Sequence, residues 1–135
     1  MLKVYLAARY DRKEEMKAYR EILQRDHNVK VTSNWLDEPT SPSSNMGEET
    51  DIFYTMTACK DLMDVDAAHV VIFFSENPLQ RWKRGGRHVE FGYALRADKT
   101  IWVVGPKENV FHYRPRVHHF ETFEELVEKK LSRKK

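Results

Sequence analysis

The run His69-Val70-Val71-Ile72-Phe73-Phe74 decides the fold of this chain. Its β-branched and aromatic side chains follow one another without polar alternation, the pattern of a strand covered on both faces, as in the middle of a parallel sheet. Before it, residues 48–68 carry Ile52, Phe53, Met56, Leu62, Met63 and Val65 on the apolar faces of a long helix. After it, residues 75–84, with Asn77-Pro78, form a loop that leads into Gly85-Gly86 and a helix over residues 87–97. A further strand, Thr100-Ile101-Trp102-Val103-Val104, ends at Gly105-Pro106.

The N-terminal third repeats this alternation. Lys3-Val4-Tyr5-Leu6-Ala7-Ala8 suits a buried strand. Asp11, with Glu14 three positions on, predicts a capping box for a helix over residues 12–25, where Met16, Tyr19, Ile22 and Leu23 share helical spacing. Residues 29–35 alternate enough for a second strand. Residues 36–45, with Pro39, Pro42 and three serines, predict a loop, as do residues 107–116. His118-His119-Phe120 predicts a short edge strand, and residues 122–131 a last helix. Strand and helix in alternation specify an α/β protein: a doubly wound, flavodoxin- or Rossmann-like three-layer sandwich with a mostly parallel sheet of about five strands. Ligands of such folds bind beyond the C-terminal ends of the strands, where strand order reverses. That rule selects the loops after Ala7, Trp35, Phe74 and Val104.

At 135 residues the chain fits one domain, residues 1–135, and 41% hydrophobic with 12% aromatic residues suffices for a core. A net charge of +2 is too small for a general polyanion binder, which argues against nucleic acid as the partner. One cysteine, Cys59, excludes an internal disulfide and fits a reducing compartment. No apolar run approaches a membrane span, so the expectation is a cytoplasmic protein without membrane association.

Gly85-Gly86-Arg87-His88-Val89-Glu90 reads as a glycine turn opening a helix, with Glu90 in the first helical turn. Glycines admit close approach of a ligand, and the helix start aims N–H groups and positive dipole at it. The dipole is expected to hold Glu90 as an anion. Asp61 and Asp64, three apart, share a helical face, and a carboxylate pair around a sugar suits glycosidic chemistry; a solvated acidic face is the competing reading. His88-Val89-Glu90 opens like a zinc deaminase motif but lacks the downstream cysteines. His112, His118 and His119 have no ligand spacing and read as surface or interface residues, so no metal is expected. The turn Ala7-Ala8-Arg9-Tyr10 lacks the dinucleotide glycine pattern, and no Walker loop or Gly-x-Ser-x-Gly turn is present. Arg84-Gly85-Gly86 is a single copy of an RNA-binding repeat, too little to read as one.

Together these segments resemble the nucleoside 2-deoxyribosyltransferase family and the related nucleoside 5′-monophosphate N-glycosidases. The resemblance spans residues 5–104: the tyrosine strand at Tyr5, the Asp61-Leu62 helix before Val70-Val71-Ile72, the Gly85-to-Ala94 segment with Glu90, and the strand after Lys99. It implies one deoxyribosyltransferase-like domain acting on a small-molecule nucleoside or nucleotide without a cofactor. Glu90 would be the nucleophile that forms a glycosyl ester, Tyr5 the residue that positions it, and Asp61 the acid facing the base. Six residues before the nucleophile, transferases carry an acid for the 5′-hydroxyl and monophosphate hydrolases a serine beside the phosphate. This chain has Arg84 there, near Arg81, Lys83 and Arg87. Arg84 and Arg87, with Gly85, Gly86, Arg9 and Asp64, are therefore the expected substrate-binding residues, the arginines suiting a phosphate. Arg12 could add to the same pocket. Whether the acceptor is a second base or water stays open, as does a non-catalytic nucleotide-binding module. The resemblance also implies a homodimer or higher homo-oligomer, with His112 and Tyr113 as candidate contacts.

Overall fold

The apolar run becomes a strand buried along its whole length, Val70–Phe74. It is the centre of a five-stranded, all-parallel sheet in the computed structural model, which describes residues 1–38, 48–77 and 85–131. The strands are β1 (Leu2–Ala7), β2 (Val29–Val31), β3 (Val70–Phe74), β4 (Thr100–Val104) and β5 (Val117–Phe120), in the order β2-β1-β3-β4-β5. Every pairing is parallel, with Tyr5 beside Val71 and Ala7 beside Phe73. The chain leaves β1 toward β2 and then returns past it to β3, so the order reverses between β1 and β3.

Helices α1 (Lys13–Asp26) and α4 (Phe123–Leu126) cover one face of the sheet, and α2 (Glu48–Ala67) and α3 (Gly86–Arg96) the other. Neighbouring residues of a strand serve opposite layers. Phe74 packs with Tyr19 of α1 and Phe123 of α4, whereas Phe73 meets Phe91 of α3 edge-on at 5.2 Å. Tyr5 points to the same side as Phe73, toward α3. Helices α1 and α3 are followed by Asn28 and Asp98 at φ 53° and 60°, the left-handed turn that lets a chain leave a helix end.

Several boundaries depart from the sequence reading, for local reasons. The second strand stops at Val31. Ser33 Oγ accepts from the Leu6 N–H at 2.6 Å and Trp35 Nε1 donates to Leu6 O at 2.9 Å, so this stretch binds β1 through side chains and curls into a 3₁₀ turn, Asn34–Asp37. Asp11 makes no capping box: it lies in a 3₁₀ turn, Tyr10–Arg12, and pairs with Arg9, while α1 starts after Arg12 without a side-chain cap. The apolar residues of α2 divide between core and surface, with Val65 buried and Ile52, Met56 and Met63 exposed. The final helix widens into a π-helical turn, Val127–Leu131. His112 is a correction of another kind. Expected at a surface or interface, it is fully buried against Phe73 and Phe91. Burial holds its pKa down to about 4, so it is neutral.

Candidate functional site

The two residues that sequence places 85 positions apart meet on the α3 side of the sheet. Tyr5, wholly buried in β1, donates its hydroxyl to Glu90 Oε2 at 2.6 Å. Glu90 is the fifth residue of α3, one turn beyond the helix start, where the dipole effect has largely decayed. The expected dipole-held anion is therefore not what the structure contains. Burial, with the charges of Asp61 and Asp64, raises the Glu90 pKa to about 8 against the opposing pull of the Tyr5 hydrogen bond. The Tyr5 phenol is itself pushed well up, first by burial and then by the charge of Glu90.

Asp61 on α2 is the third member. Burial, then the charges of Glu38 and Asp64, raise its pKa to about 7. Among the described residues its buried Oδ1 has no hydrogen-bond partner. Asp61 is thus a carboxyl that titrates near neutrality and has a buried oxygen not engaged by any described residue. Asp64, one turn on, is differently engaged. Its oxygens accept from the Asn34 backbone N–H and side-chain amide, both at 3.0 Å, which ties α2 to the turn after β2.

The expected basic residues are divided. Arg84, Arg81 and Lys83 lie outside the described residues, as does Trp82. Arg9 pairs with Asp11 at 2.8 Å and approaches Glu76 at 3.9 Å, and Arg12 pairs with Glu76 at 2.7 Å and Glu15 at 2.8 Å. Arg87 points inward. Its guanidinium is buried over the Phe73 ring and donates to Glu108 Oε1 at 2.5 Å. Gly85 opens α3 at φ +83°, a conformation that strains any residue with a side chain, and a Cβ at Gly86 would meet nothing within 4 Å. A helix start leaves its first N–H groups without intrahelical partners. Glu38, Glu76 and Glu108 were not picked out from sequence; their one signal was position, each in a loop beyond the C-terminal end of a strand. Among the described residues no three His, Cys, Asp or Glu side chains come together as metal ligands. No helix there is long and apolar enough to cross a membrane.

This arrangement can present a carboxylate oxygen to an electrophilic carbon while a second carboxyl gives or takes a proton. Comparison with known proteins places the fold. No protein-family model matches the chain, and no curated protein matches it significantly. Among solved structures, the chain is similar to the 2-deoxyribosyltransferase of Bacillus psychrosaccharolyticus, with a TM-score of 0.66 at 17% identity over 92% of this chain and 89% of that one. It is also similar to the CMP N-glycosidase of Clostridium botulinum, with a TM-score of 0.53 at 18% identity over 94% and 96% of the two chains. A conserved protein of Enterococcus faecalis V583 matches at a TM-score of 0.51 and 18% identity, over 77% of this chain and 63% of its own. The chain has the three-layer α/β fold of these proteins.

Proposed function

We propose that this protein is an enzyme that breaks the N-glycosidic bond of a 2′-deoxynucleoside or its 5′-monophosphate and passes the sugar, through an ester on Glu90, to a second nucleobase. The observation that carries the reading is the 2.6 Å hydrogen bond from Tyr5 to Glu90 Oε2, which holds one carboxylate oxygen and leaves Oε1 to attack. In the first step Oε1 bonds to C1′, the C1′–N bond breaks, and the electron pair departs with the base, which takes the proton of Asp61. In the second, a nitrogen of the incoming base bonds to C1′, Glu90 leaves as carboxylate, and the incoming base returns a proton to Asp61. The fixed negative charge stabilises the oxocarbenium-like transition state of both steps. The fold likeness to a 2-deoxyribosyltransferase and a CMP N-glycosidase supports this reading. With water as acceptor the same machinery is an N-hydrolase, and the second of those neighbours favours that alternative.

Incubating the protein with each deoxynucleoside and deoxynucleoside monophosphate, with and without a second free base, and separating the products decides among these. A new nucleoside means transfer, and free base plus sugar means hydrolysis. Ligand-dependent thermal stabilisation without turnover means a binding module. Glu90→Gln is expected to abolish turnover, and full activity in that variant overturns the assignment. For a phosphorylated substrate, Arg9, Arg12 and Arg87 all have carboxylate partners, so the phosphate would rest on Arg84 and its basic neighbours and on the N–H groups of Gly85 and Gly86. Arg84→Ala is then expected to weaken monophosphate binding well beyond nucleoside binding, and equal effects reject that role. The proposed homo-oligomer is supported by the exposed Ile52, Met56 and Met63 of α2 and by exposed Tyr113 beside Val110 and Phe111.

A further inference from the structure

The buried pair Arg87–Glu108 has no place in the chemistry above, yet both side chains are only 2% exposed. Burying two charges costs desolvation, and a well-packed apolar pair is often as stable or more so. What an apolar pair could not reproduce is the connectivity. Glu108 lies in the loop after β4. Its Oε1 receives Arg87 and is 3.5 Å from His88 Nε2, both in the first turn of α3. Its Oε2 accepts the N–H of Glu76, just beyond β3, at 2.8 Å. Its own N–H donates to Nδ1 of buried His112 at 3.0 Å. The Glu76 side chain continues the chain of contacts to Arg12, after β1. One carboxylate thus joins the exits of β3 and β4 to the start of α3.

That start has no side-chain cap. Arg87, Phe91 and Ala94 form the buried stripe of α3, and Glu90, three residues from Arg87, sits about 60° around the helix axis from it. The angular setting of α3, and with it the side chain that Tyr5 must reach, is defined by where Arg87 is held. We propose that Glu108 is a positioning residue for Glu90, acting through Arg87 and the first turn of α3 and not through substrate. The inference rests on Glu90 as the reacting carboxylate.

The test compares wild type, Glu108→Gln and the apolar double variant Arg87→Met with Glu108→Leu. Each is read by thermal melting, by kcat and KM on the substrate found above, and by the ¹³C titration of the Glu90 carboxyl, assigned with Glu90→Gln. The double variant is expected to melt within a few degrees of wild type. Its kcat should fall at least ~30-fold with KM within ~3-fold, and its Glu90 midpoint should move upward from about 8 as the carboxyl loses the Tyr5 hydrogen bond that favours its ionised form. Glu108→Gln, which keeps the shape but not the charge, should show the same changes to a smaller degree. Folded variants with kcat within twofold of wild type, or with an unmoved Glu90 midpoint, overturn the proposal. If the double variant does not fold, Glu108→Gln decides by the same two readings. If wild type turns over nothing in the panel, the proposed function fails while the titration still decides the role of Glu108.

Discussion

Replacing Tyr5 with Phe removes one oxygen from a wholly buried ring and leaves the packing of β1 in place. The 2.6 Å hydrogen bond it removes is to a carboxylate, and such a bond is worth about 1.5–3 kcal/mol. Because that bond favours the ionised form of Glu90, its loss should raise the pKa above the present value of about 8 by roughly one to two pH units. In the proposed reaction the reactive state has Glu90 ionised and Asp61 protonated. With Glu90 at about 8 and Asp61 at about 7, the opposite assignment of the shared proton is favoured roughly tenfold. The wild-type profile of kcat/KM should therefore be a bell with flanks near pH 7 and pH 8, which belong to the pair. In Tyr5→Phe the bell should fall in height by roughly ten- to a hundred-fold, while its alkaline flank moves up to about pH 9–10 and its acid flank stays near 7. The assay is kcat/KM between pH 5 and 10.5. A lower bell with both flanks unmoved would refute the reasoning, since Tyr5 would then not act through the ionisation of Glu90; unchanged activity would refute it outright.

Asp61→Asn should lower kcat/KM by about 10²–10⁴ and remove the bell, leaving a residual rate that rises with pH to a plateau; the loss should be smaller for a nucleoside whose base departs without protonation. A bell retained in that variant, followed by the same pH series, rules out Asp61 as the acid. Glu90→Gln should stabilise the protein in one pH range only. The unfolded carboxyl loses its proton near the ordinary glutamate value and the folded one near 8, so between them the folded state holds more protons and stability falls as pH rises. The gain should be close to zero at pH 4 and about 2–4 kcal/mol at pH 8.5, several degrees in Tm. Thermal melts at the two pH values check it, and an equal gain at both contradicts the burial of the charge.

The layers were legible in the sequence because each strand exists to bury apolar side chains on both faces, and a run such as Val70-Val71-Ile72-Phe73-Phe74 has no other stable use. That Tyr5, Asp61 and Glu90 belong to one neighbourhood was legible through their order along the chain, and the helix carrying Glu90 also through the glycines before it. Their protonation states were not. Helix position suggested an anion, but one residue of difference in the helix start moved Glu90 out of the first turn, and burial then dominated. Arg87 was misplaced for a similar reason. As a basic residue beside glycines it resembled a phosphate ligand, and only three-dimensional packing shows that its position on α3 is the inward one. Glu108 could be anticipated only as a residue of a loop beyond a strand, because its partners Glu76, Arg87 and His88 come from two segments between 20 and 32 residues away.

The placement of Arg87 bears directly on what Glu90 can do. Among the described residues, the groups that act on Glu90 are the Tyr5 hydroxyl and the carboxylates Asp61 and Asp64. A permanent cation on the adjacent turn would normally lower such a carboxyl well below neutrality, as the Arg87 guanidinium and the Glu76 N–H do for Glu108 despite its burial. An anion already matched by a cation has less net charge to offer an oxocarbenium ion, and is a weaker nucleophile. By turning Arg87 to Glu108, the fold leaves the charge of Glu90 without a counterion among the described residues, and in the proposed reaction none arises until positive charge develops on the sugar. The ionised carboxylate is then stabilised more in the transition state than in the resting enzyme, which is the condition for it to accelerate the reaction. The raised pKa and the buried Arg87–Glu108 pair are thus two sides of one arrangement: a carboxylate kept poorly solvated, as the proposed reaction requires, beside a cation held where it cannot neutralise it.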